Sequence, residues 1–172
     1  MSDPVLLLGH GASGNAASML PWVTELAKHG ITAQALDLPR GNPARAVEVF
    51  ATAVEQHPGV AVGGHSFGGR MASMLAADQP VNALVLLSYP LHRPGHPDEL
   101  RTEHWSRITC PVLVLSGESD PFAKLALLRR EVRKLRQVEL VTYPRMGHGL
   151  LKAAPDIAAR IAAFVPARAR RR

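Results

Sequence analysis

The sequence predicts a three-layer α/β/α sandwich, an α/β fold built on about six mainly parallel strands. Short apolar runs alternate with longer segments of helical period along most of the chain. Four of these runs show no polar alternation, which is typical of strands buried on both faces of a parallel sheet. With 172 residues, of which 47% are hydrophobic, the chain can form one core without disulfides or metals.

The four apolar runs lie at 4–8, 59–63, 82–88 and 111–116, and each is bounded by Gly, Pro or Ser. Two further strands are predicted at 31–36 and 137–143. Both contain polar residues, so we expect each to have a less buried face, as edge strands often have.

Five helices are predicted between the strands, at 16–29, 43–56, 67–78, 122–135 and 155–164. The resulting alternation of strand and helix favours helices on both faces of the sheet. The segment 89–107 interrupts this order with three prolines and a glycine, and we expect it to form a loop with a short helix over the sheet.

We expect residues 1–165 to form a single domain and 166–172 to form a basic C-terminal tail. Arg168, Arg170, Arg171 and Arg172 contribute much of the net charge of +6, and no aromatic residues interleave the basic runs. A nucleic-acid partner is therefore not expected. The single cysteine, Cys110, allows no intramolecular disulfide, and the first residues lack an export or membrane signal. These features favour a cytoplasmic location and no membrane partner.

The loop after the first strand fits G-x-G-x-x-G through Gly9, Gly11 and Gly14, a spacing typical of dinucleotide-binding turns. Asp37 ends the second predicted strand, where a ribose-binding carboxylate would stand. In a second interpretation Asp37 only caps local amides of its turn. A dinucleotide-binding protein is therefore one hypothesis, but it gives no role to the residues considered next.

A candidate nucleophile follows the third predicted strand, where Gly64 to Gly68 fit G-x-S-x-G around Ser66. A serine on a very tight strand-to-helix turn needs small neighbours two residues away on either side. Such a turn lifts the hydroxyl above the carboxyl edge of the sheet. A passive serine in a glycine-rich connection is the alternative, but a strand before it and small residues along the helix after it favour a nucleophile elbow.

A serine hydroxyl needs a base, and the base needs a carboxylate that orients it. His148 is flanked by Gly147 and Gly149 in the loop after the last predicted strand, and Asp120 follows the preceding strand. The order serine, aspartate, histidine is that of one known class of catalytic triad. Two alternatives remain: Asp120 as a helix cap with Glu118 as the reserve acid, and His148 as a solvated loop residue.

His92, His96 and His104 lie in the irregular segment, but their spacing fits no metal-ligand pattern. We therefore predict no metal and no cofactor.

The motifs "GHGASG", "GGHSFGGRMAS", "SGESDPF" and "MGHGL" resemble the α/β-hydrolase superfamily over nearly all of the chain. "GGRMAS", "DPF" and "LSYPLHRPGHPDELRTEHW" further resemble the small dienelactone-hydrolase-like branch, which includes domains of testis-expressed and chromatin-associated proteins. Dienelactone hydrolase itself has a cysteine nucleophile, whereas this chain has Ser66. The resemblance implies a minimal α/β-hydrolase fold that lacks the first two strands and has no lid domain.

The expected function is hydrolysis of a small-molecule acyl ester or thioester through an acyl-enzyme. The backbone N–H groups of Ala12 and Phe67 are the predicted oxyanion hole, with His10 bracing the first loop. Predicted pocket residues are Tyr89, Leu91, His92, Arg101 and Trp105. The other hypothesis, which the resemblance to this branch leaves open, is a catalytically inactive hydrolase-fold interaction module. The sequence indicates no oligomeric state.

Overall fold

Six parallel strands lie side by side in the order β2-β1-β3-β4-β5-β6. The structure is a computed structural model that describes residues 4–169. The strands are β1 (Leu6–Gly9), β2 (Ala33–Leu36), β3 (Ala61–His65), β4 (Leu84–Leu87), β5 (Val112–Gly117) and β6 (Val138–Tyr143). The six predicted strands are all present, each within about two residues of its predicted bounds.

Five α-helices connect or follow the strands: α1 (Leu20–Ala27), α2 (Pro43–Gln56), α3 (Phe67–Asp78), α4 (Leu125–Glu131) and α5 (Ala154–Ala169). Short 3₁₀ turns adjoin α-helices at Ala16–Met19, Val132–Lys134 and Leu151–Ala153, and another, Trp105–Arg107, lies between β4 and β5. The bounds of α2 and α3 agree with the prediction. None of the helices in the described part of the chain is long and apolar enough to cross a bilayer.

The prediction of one helix over 122–135 is wrong at its start, because the backbone of Lys124 is not helical (φ −55°, ψ 120°). The Phe122 N–H donates to Asp120 Oδ1 and the Lys124 N–H donates to His92 Nε2. Helical structure therefore begins only at Leu125. At the other end of the chain, α5 extends into the predicted basic tail as far as Ala169, and residues 170–172 lie outside the described part.

Alternate residues of the central strands enter two separate cores. Leu7 packs into the core beneath α2, α3 and α4, whereas Leu6 and Leu8 pack into the core beneath α1 and α5. All three side chains are fully buried. This two-sided burial is the reason that the strands read as continuous apolar runs, and it confirms the predicted three-layer α/β/α sandwich.

The two polar strands, β2 and β6, are the edges of the sheet, as predicted. Gln34 of β2 and Glu139 of β6 are exposed, whereas β1, β4 and β5 are buried throughout. Between β4 and β5 the described chain forms an irregular segment with the 3₁₀ turn Trp105–Arg107, and no lid domain is present there.

A buried carboxylate ties this irregular segment to α4. Glu131 is 3% exposed; it accepts a hydrogen bond from the Thr102 hydroxyl and forms ion pairs with Lys134 (2.5 Å) and Arg130 (3.0 Å). Burial alone would raise the pKa of Glu131, but the hydrogen bonds from Lys134, Thr102 and Arg130 outweigh it and lower the pKa.

We expect Glu131→Gln to lower the free energy of unfolding at pH 7 by about 1–2 kcal/mol, because the charged donors lose their partner. The folded pKa lies below the unfolded value of 4.5, so the carboxylate stabilises the fold above that pH. Its contribution disappears as the pH falls through the folded pKa. Urea unfolding should therefore show the wild type and the variant converging below pH 4.5.

Glu99→Gln is the matched control, since Glu99 pairs with Arg93 at the surface. An exposed pair of this kind contributes at most about 1 kcal/mol. A Glu131→Gln deficit that stays the same in acid would contradict the proposed role of the ionised carboxylate.

Candidate active site

Ser66 lies on a tight turn between β3 and α3. Its backbone angles, φ 50° and ψ −116°, are strained for a residue with a side chain. The turn brings three backbone segments together: a Cβ on Gly64 would lie 2.4 Å from the Gly9 oxygen, and one on Gly68 would lie 2.2 Å from the Gly9 carbon. Both flanking positions of the motif therefore have no room for a side chain.

A chain of hydrogen bonds links Ser66, His148 and Asp120 across the carboxyl edge of the sheet. The Ser66 Oγ lies 2.9 Å from His148 Nε2, and His148 Nδ1 lies 2.8 Å from Asp120 Oδ2. Because a carboxylate can only accept, Nδ1–H donates to Asp120 and Nε2 is left to accept the serine proton. The three residues predicted from three different loops are thus brought into direct contact.

Asp120 both orients the histidine and caps its own loop. It is 4% exposed; Oδ2 faces His148 while Oδ1 accepts the Phe122 N–H at 2.8 Å. The reserve acid, Glu118, accepts a hydrogen bond from the Thr142 hydroxyl at 2.8 Å instead. The alternative of Asp120 as a helix cap is wrong, because the N-cap of α4 is Lys124; the Asp120 carboxylate closes its own turn through Phe122 and contacts His148 at the same time.

Two aromatic neighbours fix the position of His148. The carbonyl oxygen of His148 lies 3.0 Å from Nε2 of His65, and their ring centroids are 5.1 Å apart. Phe122 covers the histidine ring from another direction, at 4.4 Å between centroids. Burial lowers the pKa of His65, which favours a neutral ring whose Nε2–H donates to that carbonyl. The sequence did not indicate this contact.

The first loop lies directly against the serine. A Cβ on Gly11 would lie 3.3 Å from His65 Nδ1 and 3.9 Å from Ser66 Cβ. Buried His10 holds the loop: its Nε2 accepts the Leu38 N–H at 2.9 Å, so Nδ1–H donates to the Gly11 oxygen at 2.7 Å. The bracing role predicted for His10 has this geometric basis.

The residues of the two predicted oxyanion donors line one cavity. Ala12 and Phe67 line it together with Ser66 and His148. Phe67 is the first residue of α3, so its N–H has no partner within the helix.

The end of the G-x-G-x-x-G loop, at Gly14, packs against the 3₁₀ turn Ala16–Met19 that follows it. The Ala16 N–H donates to Asp37 Oδ1 at 3.0 Å, and Asn15 caps Ser18. A Cβ on Gly14 would lie 2.6 Å from the Ser18 hydroxyl oxygen. Asp37 therefore caps an amide of the first loop, and not an amide of its own turn as the alternative had it, and the first loop lies against Ser66.

The cavity above Ser66 has a volume of about 660 Å³ and receives residues from both faces of the sheet. Of the five predicted pocket residues, Arg101 lines it. The prediction is wrong for Tyr89, Leu91 and Trp105, which are buried in the core at 1% exposure or less. Tyr89 and Trp105 pack edge to face at 4.9 Å.

His92 does not line this cavity either. It is 3% exposed, and both ring nitrogens have backbone contacts, Nδ1 with the Arg93 oxygen and Nε2 with the Lys124 N–H. Among residues 4–169, no group of three or more His, Cys, Asp or Glu side chains is arranged to hold a metal ion.

The family model described as "Alpha/beta hydrolase domain" matches residues 40–154, which include all three residues of the hydrogen-bonded chain. The chain belongs to the α/β-hydrolase family. The match concerns the domain family as a whole, and membership of the dienelactone-hydrolase-like branch stays a prediction.

Solved structures agree with this assignment at the level of the fold. The α/β-hydrolase chain superposes on a monoacylglycerol lipase of Paleococcus ferrophilus with a TM-score of 0.83 and 15% identity, covering 97% of this chain and 96% of the lipase. Est1E of Butyrivibrio proteoclasticus matches with a TM-score of 0.78 and 16% identity over 95% and 88%. A thioesterase domain from the curacin biosynthetic pathway gives 0.74 and 16% over 95% and 90%.

We expect Gly68→Ala to destabilise the protein by about 3 kcal/mol or more, because the new methyl group would overlap the backbone of Gly9. Urea unfolding measures the loss. Gly149→Ala is the control, since a Cβ there meets nothing within 4 Å. Equal stability of the two variants would contradict the close approach at the elbow.

Proposed function

We propose that this α/β-hydrolase cleaves small carboxylic esters or thioesters through an acyl-enzyme formed on Ser66. The observation that carries the proposal is the hydrogen-bonded chain from Ser66 through His148 to buried Asp120 at the floor of an open cavity. A serine hydroxyl at 2.9 Å from Nε2 of an imidazole whose other nitrogen contacts a carboxylate is arranged for transfer of its proton as it attacks a carbonyl.

In the proposed reaction, Ser66 Oγ forms a bond to the carbonyl carbon of the substrate while His148 Nε2 takes the hydroxyl proton. The tetrahedral intermediate collapses, the bond to the leaving alcohol or thiol breaks, and His148 returns the proton to that group. Water then attacks the acyl-serine by the same route and releases the acid. Asp120 stabilises the imidazolium and holds its orientation throughout.

The oxyanion of each intermediate needs two preorganised N–H donors, and each one typically contributes ~10²–10³-fold in rate. The N–H groups of Phe67 and Ala12 are the proposed donors. The start of α3 supports this assignment, because the helix dipole directs partial positive charge to its first residues. The His10 contacts to Gly11 and Leu38 support it too, since they restrict the loop that carries Ala12.

The cavity also supports a small acyl substrate. Its volume of about 660 Å³ lies in the range of small-molecule sites. Met19, Trp22 and Leu150 line one side and could contact an acyl chain. The structural neighbours named a lipase and a thioesterase are consistent with ester or thioester chemistry on this fold.

We expect a fluorophosphonate probe to label the wild-type protein on Ser66, because the probe reacts with serine nucleophiles that have an adjacent base. Intact-mass spectrometry and peptide mapping locate the adduct. Ser66→Ala should abolish both labelling and turnover of p-nitrophenyl acetate, whereas the adjacent-strand control Ser88→Ala should retain labelling. Labelling that survives Ser66→Ala contradicts the proposal, and absence of labelling together with no turnover on a panel of acyl esters favours the inactive interaction module.

We expect Asp120→Asn to lower kcat for p-nitrophenyl acetate by about 10³-fold or more, because the amide favours the wrong histidine tautomer. Glu118→Gln is the matched control: its carboxylate contacts Thr142 instead, and kcat should stay within about threefold of wild type. Stopped assays at saturating substrate measure both. Similar losses of kcat in the two variants would contradict the role of Asp120 as the acid that orients His148.

A further inference from the structure

The ionisable side chains among the described residues that line the cavity are those of arginine and histidine. Arg70 and Arg101 contribute guanidinium groups, and no Asp or Glu is among the described lining residues. Arg70 lies one helical turn after Ser66, with its N–H bonded to the Ser66 carbonyl oxygen at 3.0 Å. Arg101 comes from the irregular segment between β4 and β5.

Neither guanidinium has a carboxylate partner within residues 4–169, unlike Arg93, Arg107 and Arg160, which all form ion pairs. The Nε atom of Arg70 is buried without a hydrogen-bond acceptor in the described part of the chain. Leaving such a donor unpaired costs free energy, which a bound acceptor would recover.

Arg101 shares with Arg70 the lack of a carboxylate partner within residues 4–169. Burial and the nearby charge of Arg70 lower the pKa of Arg101, so the two cations lie close enough to repel each other. Glu99, an acidic residue of the same segment, is bonded instead to Arg93 at 2.6 Å and lies 3.5 Å from His96. Two like charges at one cavity that form no ion pair within residues 4–169 favour an anion in the space between them.

The polarity of the cavity follows the two faces of the sheet. Met19, Trp22 and Leu150 belong to the core on the α1 and α5 face. The two arginines come from α3 and from the segment packed on the α3 face, and Ser66 stands at the sheet edge between the two sides. A substrate that fills the cavity therefore meets an apolar wall on one side of the serine and a cationic wall on the other.

We propose that Arg70 and Arg101 form a binding subsite for an anionic group of carboxylate or phosphate type on the ester or thioester substrate. The inference rests on the proposed function and specifies its substrate class: a charged ester with an apolar portion, not a neutral lipid ester. A guanidinium matches both anions because it can donate two parallel hydrogen bonds to adjacent oxygens.

The test compares two substrates of equal chain length, p-nitrophenyl hemiglutarate and p-nitrophenyl valerate, which differ in a terminal carboxylate. We expect the wild type to favour the anionic ester in kcat/KM. Arg70→Gln and Arg101→Gln should each lower the anionic-to-neutral ratio by about tenfold or more, as expected for loss of a charged hydrogen bond. The ratio cancels any common loss of folded protein.

Arg107→Gln is the matched control. Arg107 belongs to the same segment and carries the same charge, but it pairs with Asp78 at the surface, outside the cavity. Its ratio should stay within about twofold of wild type, because a distant exposed charge is screened by salt. An equal fall in the Arg107→Gln ratio would assign the preference to overall charge and would overturn the subsite.

A second substrate set determines which anion is bound and on which half of the substrate. Butyryloxybenzoate carries a carboxylate on the leaving group, butyryloxyphenyl phosphate carries a phosphate there, and hemiglutarate carries its carboxylate on the acyl group. The largest dependence on Arg70 and Arg101 identifies the natural arrangement. A wild-type preference for the neutral ester in every set overturns the proposal.

Failure of the inference is distinguishable from failure of the proposed function. Ser66-dependent turnover of p-nitrophenyl valerate with no anionic preference leaves the function standing and overturns the subsite. If no ester is turned over, calorimetric binding of hemiglutarate to Ser66→Ala decides the subsite alone. Affinity that falls about tenfold in Ser66→Ala/Arg101→Gln supports it, and unchanged or absent binding overturns it.

Discussion

The close approach of β1, β3 and α3 is the constraint on which the rest of the site depends. Gly68 at the start of α3 lies against Gly9 at the end of β1, and Gly64 lies between them in β3. This crossing forces Ser66 into a strained conformation that costs ~1–3 kcal/mol. The fold maintains the strain because α3 is held by a nearly continuous buried face, from Gly68 to Ala76. Strain at this turn is what raises the hydroxyl above the sheet.

The same crossing positions the other parts of the proposed machinery. Because Gly68 touches β1, the loop after β1 must pass beside Ser66, and Gly11 lies against it. His65, the residue before the turn, then reaches the backbone of His148 from the opposite side. Strand ends that are far apart in sequence are thus connected by one short network. These contacts restrict the movement of the side chains at the site, and the proposed reaction needs those side chains held at hydrogen-bonding distance.

The sequence predicted what depends on short-range pattern. The apolar runs predicted the strands, because strands buried on both faces carry apolar side chains throughout. The spacing of glycines around Ser66 predicted the elbow, because the tight turn leaves no room for larger side chains. The predicted start of α4 was wrong, because Lys124 has a non-helical backbone and contacts His92, a residue far away in the sequence that no local pattern indicates. The prediction of Tyr89 and Trp105 as pocket residues was wrong, because residues 89–107 show no hydrophobic periodicity that would distinguish buried from exposed side chains. Large aromatic side chains in such a segment are as suited to a core as to a ligand.

Those buried aromatic residues nevertheless bear on the cavity through the backbone that they hold. Tyr89 donates its hydroxyl proton to the Arg101 oxygen at 2.6 Å, and the Arg101 N–H donates to the Leu91 oxygen at 2.9 Å. Arg101 is therefore fixed at its backbone by the core, while its guanidinium forms no ion pair within the described part of the chain. A charged side chain on a rigid backbone loses less entropy on binding than one on a mobile loop. The packing of the irregular segment into the core therefore determines where the Arg101 charge lies at the cavity that also contains Ser66.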